Sequence, residues 1–205
     1  MNRFLLSLFL LSFPLMSYSK TVKDVEINRS INVLGLFDKV CMGAYLDDDE
    51  LNQFLIDNNF IDLNDETKKD DSNSKDIRHY SIDYEKTKFF LDIAPTTCSI
   101  STKNSNQDIF NAQFKKFRKE ITQNIILETS KSFEVRKGPT SYKISSYSYF
   151  LEEKEEKLPF EILLNQTNSR TDPYQLKLIV KFENKSEMND SKKGFQKVKI
   201  TSKFT

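Results

Sequence analysis

The stretch Leu176-Lys177-Leu178-Ile179-Val180-Lys181-Phe182 decides the fold class. Leu176, Leu178, Val180 and Phe182 fall on one side of an extended chain, and Lys177 and Lys181 on the other. A helix would spread those apolar side chains around its circumference. A period of two predicts a strand with one face in a core and one in water, as in an antiparallel sheet covered on one side.

Working outward, the same period recurs. Phe160, Ile162 and Leu164 alternate, as do Tyr147, Tyr149 and Leu151, and Phe133 and Val135 alternate before a Lys137-Gly138-Pro139-Thr140 turn. Beyond the opening stretch, Val198 and Ile200 oppose Lys197 and Lys199. Nearer the N-terminus, Tyr80, Ile82 and Tyr84 alternate, then Phe89, Leu91 and Ile93, then Cys98 and Ile100 after a turn at Pro95. Between the two groups of strands lies "QDIFNAQFKKFRKEITQNI". Here Phe110, Phe114, Phe117 and Ile121 recur at helical spacing, with Lys115, Lys116, Arg118 and Lys119 away from the centre of that stripe.

Two helices are expected before the first strands. Ser30 would cap the first, which carries Val33, Leu34, Phe37, Val40 and Cys41 and ends near Met42-Gly43; a short strand over Val22–Ile27 would precede it. Asp47 and Glu50 have capping-box spacing at the start of the second, with Leu51, Phe54 and Leu55 as its stripe. Asn58-Asn59 suits a left-handed C-cap, after which Phe60 and Ile61 fold back on the last turn. Polar runs at 62–78, 152–157, 165–173 and 184–194 read as surface loops. The class is therefore α+β: N-terminal helices and short strands, a long amphipathic helix, then an antiparallel β meander.

Residues 1–19, "MNRFLLSLFLLSFPLMSYS", have the three parts of a secretory signal peptide. Arg3 is the positive end, Phe4 to Met16 the apolar run, and Ser17 and Ser19 the small residues of a cleavage site after Ser19. That run is short of the ~20 apolar residues a membrane anchor needs, and nothing later approaches that length. Residues 20–205 then form a single α+β domain, with a sub-boundary near residue 124 as the alternative. The Lys- and Asn-rich, Gly-poor composition is that of an AT-rich bacterium, so export implies the periplasm or, alternatively, the medium.

With 31 basic and 30 acidic residues in the full chain, there is no basic excess to hold a polyanion, and nucleic acid is not an expected partner. Two cysteines in an oxidising compartment read most simply as one disulfide, Cys41–Cys98. A zinc site would need more than the lone His79, and no paired-cysteine motif is present. Asp47, Asp48, Asp49 and Glu50 lack the spacing of a calcium loop and suit a helix start instead. No metal and no cofactor are expected: neither a phosphate-binding glycine loop nor a serine-hydrolase elbow occurs. A catalytic Cys41 would require His79 as its base, and nothing in the sequence brings them together. Two features are left as a partner surface: Tyr142, Tyr147 and Tyr149 on a strand, and Lys115, Lys116 and Lys119 on the central helix.

In the elements "LFDKVCMGAYLDDDELNQFLIDNNF", "FFLDIAPTTCSIS" and "IFNAQFKKFRKEI" the chain resembles a loosely defined family of small exported proteins of Gram-negative bacteria, of unknown function. Its pattern is a Cys near the end of the first helix, a second Cys in a short strand, then an amphipathic helix and more strands. Asn59-Phe60 stands where that family tends to have a glycine beside an aromatic. The resemblance implies the Cys41–Cys98 bridge and a periplasmic address, and it implies no catalytic residues. The expected function is that of a non-enzymatic binding protein whose partner is another protein, as immunity-type inhibitors of exported enzymes are. The alternative is a small-ligand or lipid-binding module with an apolar pocket between helices and sheet. A hydrolase using Asp47–Glu50 is the third reading.

Overall fold

The computed structural model describes residues 21–43, 48–64, 77–84, 86–121, 125–153 and 156–182, with side chains described for all but 43, 48, 151–153 and 156–158. The expected signal peptide, Asp47, residues 65–76 of the expected loop, the expected loop at 184–194 and the strand expected around Val198 and Ile200 lie outside the described residues.

The first helix, α1 (Val22–Leu36), starts earlier than the sequence pattern suggests. Thr21 caps it: its hydroxyl accepts from the Asp24 N–H, and the Asp24 carboxylate accepts from the Thr21 N–H, a reciprocal capping box. The strand expected over Val22–Ile27 is thus corrected to the first turns of a helix. Ser30 is not its cap but an interior residue whose hydroxyl donates to the Glu26 carbonyl at 2.8 Å. Arg29 fastens this early part to the body of the protein: its Nε donates to Thr87 Oγ1 at 3.0 Å, and its Nη1 donates to the Asn104 carbonyl and pairs with Glu26.

Helix α1 passes directly into a π-helical stretch, Phe37–Gly43. The wider turn lets Phe37, Val40, Cys41 and Met42 all bury, more than one stripe of an α-helix this short would allow. Helix α2 (Asp48–Asp57) buries Leu51 and Leu55. Its end follows the sequence reading: Asn59 has φ 57°, the Phe60 N–H donates to the Leu55 carbonyl at 2.9 Å, and the Phe60 ring lies 6.1 Å from that of Phe54. Ile61, by contrast, is exposed and enters a two-residue strand, β1 (Ile61–Asp62).

The remaining strands are β2 (Arg78–Tyr84), β3 (Thr87–Ile93), β4 (Thr97–Thr102), then helix α3 (Gln107–Glu120), β5 (Ile125–Lys137), β6 (Thr140–Glu153), β7 (Glu156–Thr167) and β8 (Leu176–Phe182). They form one antiparallel sheet in the order β1-β2-β3-β4-β8-β7-β6-β5. The last described strand, β8, inserts beside β4 and joins the early strands to the later meander. The protein is mixed α+β with a β meander. The Lys137–Thr140 turn closes β5 on β6 through Gly138, whose φ of 60° is the conformation glycine adopts without strain. The acidic run at 152–157 does not end its strands where the sequence suggests. Both strands of the β6–β7 hairpin continue into it.

Register assigns the two faces. One row runs Tyr80–Leu91–Ile100–Leu178–Leu164, the next Ile93–Cys98–Val180–Ile162–Tyr147, and these side chains meet the helices. On that face Phe114 of α3 meets Tyr147 edge-on at 5.5 Å, and Phe117 meets Phe37 at 6.3 Å. Cys41 is bonded to Cys98 with their Cα atoms 5.3 Å apart, tying the π-helical stretch to the strand at the middle of the sheet.

Candidate functional site

The tyrosines proposed from sequence do not share a face. Tyr147 and Tyr149 occupy positions turned toward α3, whereas Tyr142 alternates to the other side of the sheet. Tyr149 is 2% exposed, stacked on Phe160 at 5.4 Å, so it cannot reach a partner. Burial pushes its hydroxyl up from its ordinary value, with the charge and hydrogen bonding of the nearby Arg118 guanidinium opposing. The Arg118 guanidinium covers the Tyr147 ring at 4.1 Å. Lys115, Lys116 and Lys119 are exposed on the outside of α3, away from Tyr142. The row of aromatic residues therefore splits into a core pair and one outward tyrosine, while Cys41 and Cys98 are joined.

The outer face of the sheet, turned away from the helices, carries groups that the sequence reading did not single out together. Near its middle, Asp92 gathers three partners: Lys177 Nζ at 2.7 Å, His79 Nδ1 at 2.9 Å and Ser99 Oγ at 3.0 Å. Strands β2 and β4 on either side supply His79 and Ser99, which pair with Asp92 in register, and Lys177 reaches across from β8 beyond β4. Burial alone would raise the Asp92 carboxyl. The hydrogen bonds from Lys177, His79 and Ser99, with the Lys177 charge, outweigh it and hold the group below its ordinary 3.8. An ionised Asp92 accepts, so the imidazole carries its proton on Nδ1. Ser99 donates to Asp92 and not to the ring, which makes this a charge-balanced brace and not a nucleophile–base relay.

The sign of that brace is testable. A carboxyl whose folded pKa is depressed adds stability that is complete above its unfolded value and is lost as pH falls through the folded one. The stability difference between wild type and Asp92→Asn, from urea unfolding, is expected to be fully present well above the ordinary carboxyl value of 3.8 and to shrink as pH falls through that range and below it. A difference that stays constant through that range would contradict the assignment.

Toward the β5 edge the outer face becomes apolar. Phe133 is 54% exposed and Val135 48%, and they lie directly opposite Ile144 and Tyr142 of β6. Beside them is a hollow of about 200 Å³ lined by Tyr142, Ile144, Pro173 and Tyr174, with Asn165, Thr167 and the charged Lys143 and Asp172 among its residues. The segment between β7 and β8 forms its wall and is held at both ends. Asn168 accepts from the Ser141 N–H at 2.8 Å and donates to the Pro139 carbonyl at 3.2 Å. The Gln175 N–H donates to the Thr102 carbonyl at 3.0 Å, and the Gln175 carbonyl accepts from Thr167 at 2.9 Å.

Comparison with known proteins finds no matching family model, no matching curated protein and no matching solved structure. The site's chemistry must therefore be read from its own residues. Among the described residues no three His, Cys, Asp or Glu side chains converge as a metal would require, and no helix is long and apolar enough to cross a membrane. A signal for this face did exist in the sequence. Asn165 and Lys177 occupy outward positions of strands whose alternation was clear, but the register that sets them side by side is visible only in the folded sheet.

Proposed function

We propose that this chain is an exported, non-enzymatic binding protein that engages another protein through the outer face of its sheet beside the β5 edge, in the manner of an inhibitor or immunity protein. The observation that carries this reading is the exposed apolar row of Phe133 and Val135, continuous with the hollow bounded by Tyr142 and Ile144. Isolated surface apolar residues are ordinary, but a contiguous group beside a concave site, at the sheet edge, has the form of an interaction surface. Lys131, Glu134, Arg136 and Lys137 lie along the same strand, where charge blunts indiscriminate edge pairing while leaving a matched partner free to dock.

The test compares wild type with Phe133→Ser/Val135→Ser in capture from envelope extract, alongside thermal melts. Wild type is expected to retain a specific protein that the double variant loses, with melting behaviour nearly unchanged, because exposed substitutions usually alter stability by within about 0.5 kcal/mol. Equal recovery by both proteins, or no specific protein with either, sinks the reading.

One observation supports the small-ligand alternative. A second hollow of about 220 Å³ lies between α1, α2 and β2, lined by Leu36, Phe54, Ile82 and Tyr84 with Lys39 among its residues. Native mass spectrometry showing a co-purifying small molecule, displaced by Leu36→Phe, would favour that alternative.

A further inference from the structure

The described sheet ends at β1 on one side and at β5 on the other, and the two edges are unequal. β1 has 2 residues, whereas β5 has 13, contains no proline and is exposed from Ile126 onward. Its one irregularity lies between Leu127 and Thr129, after which residues 129–137 pair with β6 without a break. Lys137 and Thr140 flank a two-residue turn and exchange the hydrogen bonds that close the hairpin. Counting back in twos, Val135, Phe133 and Lys131 direct their N–H and C=O groups to β6. Ser130, Ser132, Glu134 and Arg136 therefore direct theirs off the edge, where no described strand lies. An edge this long and regular is a template for another strand.

We propose that two copies of the chain join through β5, antiparallel, with Phe133 on the twofold axis, so that one sheet runs across both. Identical antiparallel strands related by a twofold axis must set one residue opposite its own copy. Phe133 is the midpoint of 129–137, so an axis there pairs the whole regular stretch with itself. The two exposed rings then face each other, Val135 lies against the stem of Lys131, and Glu134 lies opposite Ser132. Moving the axis to Ser132 shortens the overlap and sets each Phe133 against Lys131. Moving it to Glu134 also shortens the overlap, sets Glu134 against itself and sets Lys131 against Lys137. The edge is complementary to itself in one register, which favours a second copy over a foreign strand. Ile144 already lies opposite Phe133 in β6, so the apolar row crosses the joint. Glu134 and its copy become diagonal neighbours, each neutralised by its own Arg136 at 2.8 Å. Lys131 and Lys137 of the second copy are also diagonal, an exposed and salt-screened repulsion that keeps the association weak.

The dimer goes beyond the partner-binding reading and does not compete with it. Outer-face side chains stand perpendicular to the joint, so Tyr142 and the hollow stay open and are presented twice. Sedimentation equilibrium of the purified chain is expected to show a reversible monomer–dimer equilibrium, half-associated at about 10–500 µM, since one strand pair is smaller than a standard interface. Glu134→Pro removes an N–H that points off the edge, so it takes no ladder hydrogen bond from the monomer. It should weaken association about ten-fold or more, whereas Glu134→Ala, which keeps the N–H, should change it less than about three-fold. Cys41 and Cys98 are bonded to each other, so a single introduced cysteine reports alone. Under mild oxidation Phe133→Cys should cross-link to its own copy, with the Cα atoms about 4.5 Å apart, while Ser132→Cys and Lys115→Cys should not. A chain still monomeric at about 1 mM overturns the proposal, as does association that Glu134→Pro leaves unchanged. Stronger cross-linking through Ser132→Cys than through Phe133→Cys overturns it too, by moving the axis. A monomeric chain that still captures a partner through Phe133 and Val135 would remove the dimer and leave the interaction surface standing. Partner capture at the wild-type level by Glu134→Pro, with association lost, would support both by separating the edge from the face.

Discussion

Replacing Cys41 and Cys98 together by alanine is expected to lower stability by about 4 kcal/mol, a large share of the roughly 5–15 kcal/mol available to a domain. The bond spans a sequence separation of 57, and a loop of that length removes about 4 kcal/mol of chain entropy from the unfolded state. Both residues are buried, but alanine leaves only a small void at each, so the cross-link dominates over packing. Urea unfolding should show a lower midpoint together with a steeper denaturant slope, since an uncross-linked unfolded chain exposes more surface. The melting temperature should fall on the order of 10 °C. Location matters too, because the bond joins the π-helical stretch to β4, whereas the β5–β6–β7 hairpins are held by their own ladders. Hydrogen exchange in the variant should therefore rise over 22–43 well before it rises over 140–150. A loss below about 1 kcal/mol would mean that the reduced chain retains the same closure in its unfolded ensemble. Intact mass provides the separate chemical check: reduction must add two hydrogens to the native protein.

What the sequence made legible was periodicity, and what it hid was pairing. Strands β2, β3, β4 and β8 could be read because one face is covered by helices, so Leu91, Ile100 and Leu178 fall on a row that recurs every second residue, with polar residues such as Asp92, Ser99 and Lys177 on the other side. The Asn59 C-cap was legible because few residues accept positive φ and an aromatic follows. The first turns of α1 were hidden for the opposite reason. Val22 and Val25 are exposed there, so no apolar stripe marks the helix, and its start is set by the Thr21–Asp24 capping box and the Arg29 contacts. The tyrosine row misled because a period of two was applied to Tyr147 and Tyr149 without their face. Those positions turned inward to meet Phe114 and Arg118, and Tyr142, of opposite parity, turned outward. The Asp92 brace needed four strands in register, and the hollow needed a strand pair and a loop clamped by Asn168 and Gln175. Alternation sets which side of a strand a residue occupies. Only the sheet order, with β8 inserted beside β4, decides which outward residues become neighbours.

Phe114→Ala is expected to cost about 3–5 kcal/mol, because this ring fastens α3 to the sheet. It is buried, with ring centroids 5.9 Å from Phe110, 6.2 Å from Phe117 and 5.5 Å from Tyr147 across the helix–sheet boundary. Truncation would open a void that two neighbours on the same helix cannot fill without leaving their own contacts. It would also strip the support from beside Tyr147, over which Arg118 lies. Phe114→Leu, which keeps most of the volume, should cost about 1.5 kcal/mol or less, and Lys115→Ala, one position along and exposed, within about 0.5 kcal/mol. That ordering separates burial from helix propensity, since alanine is the best helix former and should stabilise an isolated helix at either position. Coupling gives the sharper test. In a double-mutant cycle Phe114→Ala and Tyr147→Ala should be non-additive by about 0.5–1.5 kcal/mol, the range for an edge-on aromatic pair. Additivity would place α3 off this part of the sheet. A coupled pair would fix the helix over Tyr147, leaving the opposite face, with Tyr142 and the hollow beside it, open to a partner.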